Sequence, residues 1–329
     1  MPPTPPPPRL LIVTVNYRTA ELCIGCMRSA VAEMANWPDA KMVVVDNDSG
    51  DGSLERMRAA VAENNWSGSI SVVPAGRNGG FAFGNNVAIG PALRGSHPPD
   101  LIWLLNPDAE LLTGAAQALL AFLQAHPKAG IVTGRWVPLG GQQAEAPTAF
   151  RAFSMISEFC SMVHLNMLTK LFPQAEIRIR PRDEPYPADW LSGTALMIRR
   201  EVFEDVGLMD EGYFLYYEES DFCLQAKRKG WELWFVPDSR FHHVIGASTG
   251  FTPNQSRQPR RPAYWFHSRR RYFLKNFGSA YALFADLMHM AGYLVWRLRS
   301  LVERKPNLEP PHYLRDFLSH SVWSIGFKL

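Results

Sequence analysis

The residues that most suggest chemistry are a run of acids behind a run of aromatics. Glu218-Glu219-Ser220-Asp221 follows Tyr213-Phe214-Leu215-Tyr216-Tyr217 and opens an amphipathic helical stretch to Lys229. Acids at a helix N-terminus are favoured by the helix dipole, which is a sufficient structural reason for them. Placed at a cavity, the same acids would supply a general base that takes the proton from an attacking hydroxyl. A second group is Asn106-Pro107-Asp108, at the end of an apolar run. A carboxylate there suits Mg²⁺ or Mn²⁺ held against phosphate oxygens, and the tripeptide is equally an Asn-Pro turn. Asp46-Asn47-Asp48-Ser49 is a third. Asp46 either shapes a turn or accepts the imide N–H of a uracil or thymine ring. Arg77-Asn78-Gly79-Gly80 opens another helical stretch, where its amides and Arg77 can meet phosphate or sugar oxygens or simply form a glycine turn. In His242-His243-x-x-Gly246-x-Ser248, a histidine is a metal ligand, a phosphate contact or a structural group.

These groups need elements to hold them. Leu10 to Val15 is a short, β-branched apolar run of the kind found in buried parallel strands. Similar runs recur at Met42–Val45, Ile70–Val73, Leu101–Leu105 and near Ile131, separated by helical stretches at Ala20–Met34, Leu54–Asn64, Ala82–Leu93 and Gly114–Ala125. Such alternation predicts βαβ units and a parallel sheet. In those sheets the ligand crevice lies beyond the carboxyl ends of the strands. Asn16-Tyr17-Arg18, Asp46-Asn47-Asp48-Ser49 and Asn106-Pro107-Asp108 all follow strands, so they should converge on one edge. Trp190 to Ile198 reads as a turn entering a strand, with small residues that let a substrate approach the backbone.

Several functions are disfavoured. No Gly-x-Gly-x-x-Gly follows the first strand and no Walker A loop is present, which argues against a dinucleotide-dependent dehydrogenase or epimerase. The 329 residues are 47% hydrophobic and 20% charged with net charge +3, which excludes wholesale disorder and gives no case for a nucleic-acid partner. Cys23-x-x-Cys26 lacks the second close pair of a zinc site, so the four cysteines read as buried thiols. No signal-peptide pattern opens the chain and no uninterrupted apolar run would span a bilayer, so a cytoplasmic protein is expected.

The groups occur in an informative order. VTVNYRT, VVVDNDSGDGS, RNGGFAFGNN, WLLNPDAEL, DWLSGTALMIRREVFEDVGLMDEGYFLYYEESDFCLQAKRKGW and VPDSRFHHVIGAST together resemble the inverting family-2 glycosyltransferases, in particular bacterial rhamnosyltransferase-type enzymes of surface-polysaccharide assembly. The resemblance covers Leu10 to Thr249. It implies an α/β fold of GT-A type, Rossmann-like, with a central mostly parallel sheet flanked by helices and a C-terminal helical extension. It places Asp46 at the nucleotide base, with Thr14 and Asn16 lining the same pocket and Asn47, Arg77, Asn78, Gly79 and Asn106 completing the donor site. Asn106-Pro107-Asp108 stands where the family carries its Asp-x-Asp motif, making Asp108 the main carboxylate ligand of Mg²⁺ or Mn²⁺ and His243 its partner. Glu219 is the implied base, with Glu218 and Asp221 as alternatives. The implied donor is a dTDP- or UDP-sugar, with dTDP-rhamnose first. The implied acceptor is a saccharide, free or linked to polyprenyl diphosphate. A non-catalytic nucleotide-sugar-binding or scaffold subunit is the competing expectation, because the first metal acid is replaced by Asn106.

The remaining chain divides into a disordered Pro-rich tail at 1–9, a transferase domain at 10–250 and a basic amphipathic extension at 251–329. From Phe251 to Lys305 there are 11 Lys and Arg against 2 Asp and Glu, a local charge of +9. Arg257, Arg260, Arg261, Arg269, Arg270 and Arg271 are interleaved with aromatics, and Tyr281 to Trp296 is largely apolar. Two expectations follow: helices lying in an anionic membrane interface at the inner face of the cell membrane, or a helical cap packed on the catalytic domain.

Overall fold

A computed structural model describes residues 8–139, 145–244, 259–306 and 309–328. Strand β1 (Leu10–Asn16) is buried along its whole length, as a strand covered by helices on both faces must be. It is followed by α1 (Ala20–Met34), β2 (Lys41–Asp46), α2 (Ser53–Glu63), β3 (Ile70–Pro74), α3 (Gly80–Arg94) and β4 (Leu101–Leu105). β1 pairs in parallel with β2 and β4, and β2 with β3. The expected alternation therefore holds through the first half, and α1 has the expected limits.

The second half is less regular. It contains β5 (Ala109–Leu111), α4 (Ala115–Ala125), β6 (Ala129–Trp136), β7 (Ala149–Phe150), α5 (Met155–Val163), α6 (Asn166–Leu171) and a 3₁₀ turn at Pro173–Ala175. Then come β8 (Tyr186–Pro187), β9 (Trp190–Leu191), β10 (Ala195–Arg199), α7 (Arg200–Val206), α8 (Glu218–Arg228) and β11 (Glu232–His243). The main sheet runs β3-β2-β1-β4-β10-β6-β11-β5, with β8 also on β11. β11 is parallel to β6, whereas β10, β5 and β8 run antiparallel to their neighbours. The sheet is thus mostly parallel with antiparallel insertions. Inserting β10 beside β4 sets Thr194 against the end of β4, where its carbonyl accepts the Asn106 N–H at 2.9 Å. β7 and β9 pair separately.

Strand alternation builds a core on each face of the sheet. Ile12, Met42 and Trp103 face α1, α2 and α4, while Val13, Ile102 and Leu104 face α3, α7 and α8. All four cysteines are buried free thiols, and burial pushes the Cys26 thiol up to about 12. They pack as small apolar residues and are not poised for redox chemistry.

The extension comprises α9 (Ala263–Val302), broken at Gly278 where φ is 83°, then α10 (Tyr313–His320) and α11 (Val322–Ile325). A left-handed φ is readily adopted by glycine, so the break falls there. Its basic cluster is largely engaged within the protein. Arg269 is buried between Glu158 of α5 and Asp286, donating to Glu158 at 2.6 Å. Arg271 pairs with Asp210 at 2.9 Å, Arg260 with Asp316 at 2.6 Å, and Arg261 lies over the Trp265 ring at 4.5 Å. Arg269 and Arg271 thus tie the extension to the domain, while Arg260 and Arg261 are held within the extension. Tyr281 to Trp296 is likewise only partly outward, since Ala285, His289, Tyr293 and Trp296 are buried. No helix among the described residues is long and apolar enough to cross a membrane. The proline-rich start at 1–7, Gly246 and Ser248 of the histidine pattern, Arg257 and the expected division after 250 lie outside the described residues.

Candidate active site

A cavity of about 630 Å³ opens at the carboxyl ends of β1, β2 and β4. One wall comes from the strand ends and the loop before α3. Val15, Tyr17, Asn47, Asn78, Gly80 and Phe81 line it. Asn47 donates to the Asn78 side-chain oxygen at 3.0 Å and to the Gly80 carbonyl at 3.1 Å. Its own Oδ1 is buried without a hydrogen-bond partner. A buried orphan acceptor is costly unless a ligand fills it. Gly80 has φ of 87°, and a Cβ there would come 1.8 Å from the Phe214 carbonyl oxygen. The same carbonyl accepts the Phe81 N–H at 3.0 Å, so glycine is required where the α3 entry meets the aromatic loop.

A second wall comes from the end of β4 and the edge of the sheet. Asn106, Pro107, Asp108 and His243 line it. Pairing of β5 with β11 sets His243 opposite Ala109, and the Val244 N–H donates to the Asp108 carbonyl at 3.1 Å. His243 Nε2 is 3.1 Å from Asp108 Oδ1. The neighbouring His242 faces the other way, its Nδ1 donating to the Val137 carbonyl at 2.7 Å. Strand alternation thus separates the two histidines, and His243 is the one at the cavity.

The third wall is the loop before β10 and the start of α8. Ser192, Gly193, Thr194, Phe214, Leu215, Tyr216, Glu218 and Glu219 line it. Tyr216 and Tyr217 both have left-handed backbone, with φ of 71° and 69°. Strain at non-glycine residues persists only where the surroundings impose it, and here it sets the angle at which α8 enters the cavity wall. Glu218 and Glu219 each keep one buried carboxyl oxygen, Oε2, without a hydrogen-bond partner. Burial, reinforced by the neighbouring Glu219, holds the Glu218 carboxyl well above the usual carboxylate range. Burial raises Glu219 to about 7, opposed by hydrogen bonds from its own and the Gly193 amides. Two acids are therefore desolvated side by side, an arrangement common at catalytic sites and costly elsewhere.

Asn47, Asn78, Asn106, Asp108, Glu218, Glu219 and His243 are brought together, and six other expected residues are not among the lining side chains. Thr14 is fully buried toward α1, its hydroxyl 3.8 Å from Cys26 Sγ, because alternation turns it away from the Val15 side. Asn16 and Asp46 are buried in a network: Asn16 Nδ2 donates to Asp46 at 2.8 Å, and the Ser49 hydroxyl donates to the same Asp46 oxygen at 2.6 Å. They fix the loop that presents Asn47. Arg77 is exposed, its guanidinium over the Phe83 ring at 4.1 Å. Gly79 is buried beside that ring. Asp221 is buried beneath α9, where it accepts from Lys275 at 2.6 Å and Asn276 at 2.7 Å, so the third acid of the run is neutralised by the extension. The residue that sequence reasoning missed is Tyr264 of α9, which lines the cavity with its ring 5.1 Å from Phe214. Its only sequence signal was an aromatic in a basic stretch, which also suits a membrane interface.

Among the described residues, no three His, Cys, Asp or Glu side chains cluster as a self-sufficient metal site. Asp108 with His243 is a two-donor pair. That set fits a divalent cation which completes its shell with phosphate oxygens of a ligand, the usual habit of Mg²⁺, and not an ion held by protein alone.

A family model described as glycosyltransferase-like family 2 matches residues 6–271. The chain belongs to that family. It is 28% identical over 237 residues to the N-acetylglucosaminyl-diphospho-decaprenol L-rhamnosyltransferase of Mycobacterium tuberculosis, covering 68% of this chain and 73% of the relative. It is 26% identical over 226 residues to the low-salt glycan biosynthesis hexosyltransferase Agl10 of Haloferax volcanii, covering 67% of this chain but only 62% of that relative's length. Among solved structures it superposes on GalNAc-T7 with UDP, GalNAc and Mn²⁺ with a TM-score of 0.57 at 15% identity, covering 91% of this chain and 59% of that one. The fold is thus of GT-A type, in line with the expectation from sequence.

Proposed function

We propose that the chain transfers a sugar from a nucleoside-diphosphate donor to an acceptor hydroxyl with inversion at the anomeric carbon. One observation carries the reading: Glu218 and Glu219, each with an unpartnered buried oxygen, share a cavity with Asp108 and His243. Folding with these acids unpaired costs stability, which a scaffold subunit would have no reason to bear.

Glu219 accepts the proton of the acceptor hydroxyl as the oxygen attacks the anomeric carbon. A carboxyl with pKa of about 7 suits a base that works near neutrality. Burial disfavours ionisation of Glu218 and so limits a second negative charge in the site. The diphosphate leaves from the opposite face, so a single displacement inverts the centre and no enzyme nucleophile is needed. Asp108 and His243 would hold Mg²⁺ or Mn²⁺ on the donor diphosphate, where the ion offsets the charge that develops on the leaving group. Asn47 Oδ1 is the open acceptor for the imide N–H of a uracil or thymine base, and the Asn16–Asp46–Ser49 network keeps its loop in place. Asn78 and Asn106 stand in the same walls to meet donor oxygens.

The likeness to an L-rhamnosyltransferase favours dTDP-rhamnose as donor and a polyprenyl-diphosphate-linked saccharide as acceptor. Residues 10–250 would form the transferase domain at the inner face of the membrane. Helix α9 lines the cavity through Tyr264. The test is the melting temperature of the purified chain with dTDP or UDP, with and without Mn²⁺, joined to a transfer assay. Metal-dependent stabilisation that Asp108→Ala abolishes, with transfer abolished by Glu219→Gln, is the expected result. Full transfer by both variants would remove the mechanism.

A further inference from the structure

Beyond Gly278 the outward face of α9 is apolar without interruption. Phe284, Leu287, Leu294, Leu298, Leu301 and Val302 are exposed, Leu298 at 67% and Val302 at 84%. At 100° per residue they fall on one side of the helix, opposite the buried His289, Tyr293, Trp296 and Ser300. No charged residue between Phe284 and Val302 is exposed. Arg297 is half-buried at the edge of the stripe, and Arg304 is exposed just past its end, beside Lys305 and Glu303, which pair with each other at 2.8 Å. An unbroken apolar stripe rimmed by polar residues on an exposed helix face marks an interaction site.

The size and charge of the stripe decide between occupants. At 1.5 Å per residue it is about 27 Å long, and at one helix width of about 10 Å it covers about 300 Å². A stable protein interface needs about 800 Å² from each partner, so a second copy of this chain would find too little surface here. A lipid surface imposes no such minimum. A single apolar stripe with cations at its edge and end is the pattern of a helix lying in an anionic headgroup layer.

We infer that the second half of α9 lies in the interface of an anionic bilayer, parallel to its plane. The stripe enters the acyl boundary, and Arg297 and Arg304 face headgroup phosphates. This contact does not depend on the sugar-transfer reading and can be tested without activity.

The experiment is flotation of the full chain with phosphatidylcholine vesicles, with and without phosphatidylglycerol. The chain should float with the anionic vesicles and more weakly with the neutral ones. Leu294→Gln/Leu298→Gln/Leu301→Gln should lower vesicle binding at least ten-fold at an unchanged melting temperature. If that variant melts lower, the single Leu298→Gln, at the highly exposed position, should still weaken binding. Arg297→Gln/Arg304→Gln should weaken anionic binding by about five-fold per charge and leave neutral binding unaltered. A wild-type chain that stays out of both vesicle fractions overturns the inference. So does a triple variant that binds as well as wild type. A concentration-dependent dimer that the triple variant converts to monomer, with no vesicle binding by either, overturns it in favour of self-association.

Discussion

Replacing Glu219 by glutamine should make the protein more stable at alkaline pH while it stops working. Glutamine has nearly the same shape and no charge, so the change removes the ionisation and little else. In the native state burial raises the Glu219 carboxyl from the ordinary 4.5 to about 7. Between those values the folded chain keeps a proton that the unfolded chain has released, so native stability falls as pH rises through this window. Below about pH 4.5 the carboxyl is neutral in both states and contributes no difference. Above 7 the full difference is present, about 3 kcal/mol from the ratio of the two ionisation constants. Water entering through the cavity mouth reduces this to about 1–2 kcal/mol. Urea unfolding of wild type and Glu219→Gln at several pH values measures it directly. The two should agree within about 0.5 kcal/mol near pH 5 and separate by about 1–2 kcal/mol in favour of the variant near pH 8.5, at constant m-value. Transfer by the variant should drop by about 10²–10⁴, and the wild-type rate should climb with pH and level off above about 7. Parallel stability profiles, or a variant less stable at pH 8.5, would show that Glu219 is already partnered and refute the reasoning.

Gly80→Ala should cost more than about 2 kcal/mol in urea unfolding, because its Cβ would sit 1.8 Å from the Phe214 carbonyl oxygen at a left-handed φ of 87°; an unchanged midpoint would mean that the α3 entry is free to shift. Arg269→Met should lose about 3–5 kcal/mol, since it leaves Glu158 and Asp286 buried without their cation, whereas Arg315→Met on the exposed face of α10 should stay within about 0.5 kcal/mol by the same measurement. Tyr264→Ala should raise the KM for acceptor several-fold and leave nucleotide-induced stabilisation intact; loss of nucleotide binding would place Tyr264 at the donor end instead.

The strand ends were legible because two constraints meet there. β1 and β4 are buried on both faces, so their sequences are continuous apolar runs, and the polar residue that ends each run can only face the crevice or its rim. That is why Asn106-Pro107-Asp108 is visible from sequence. Which side of the sheet carries the cavity is not. Thr14 and Val15 are neighbours, yet one meets Cys26 and the other lines the cavity, and only the packing of α1 and α3 on opposite faces decides between them. The strand β10 was expected, but its antiparallel direction was not legible, for a similar reason. Its apolar pattern is that of any buried strand, and its direction is set by pairing with β4 and β6, both remote in sequence.

The extension shows how a charge run can find partners distant in sequence. A local charge of +9 reads as attraction to an anionic surface. Much of it answers acids elsewhere in the chain: Arg269 meets Glu158, Arg271 meets Asp210, and Lys275 meets both Asp210 and Asp221. This complementarity also bears on the site. Glu218, Glu219 and Asp221 lie in the first turn of the same helix and share the same favourable dipole. The extension neutralises Asp221 with Lys275 and Asn276 and leaves Glu218 and Glu219 each with an unpartnered oxygen. If the dipole alone explained the acids, nothing would distinguish them. The pairing of one and the exposure of the other two to the cavity is what an active site requires, because a base must keep an oxygen open for the proton it will take.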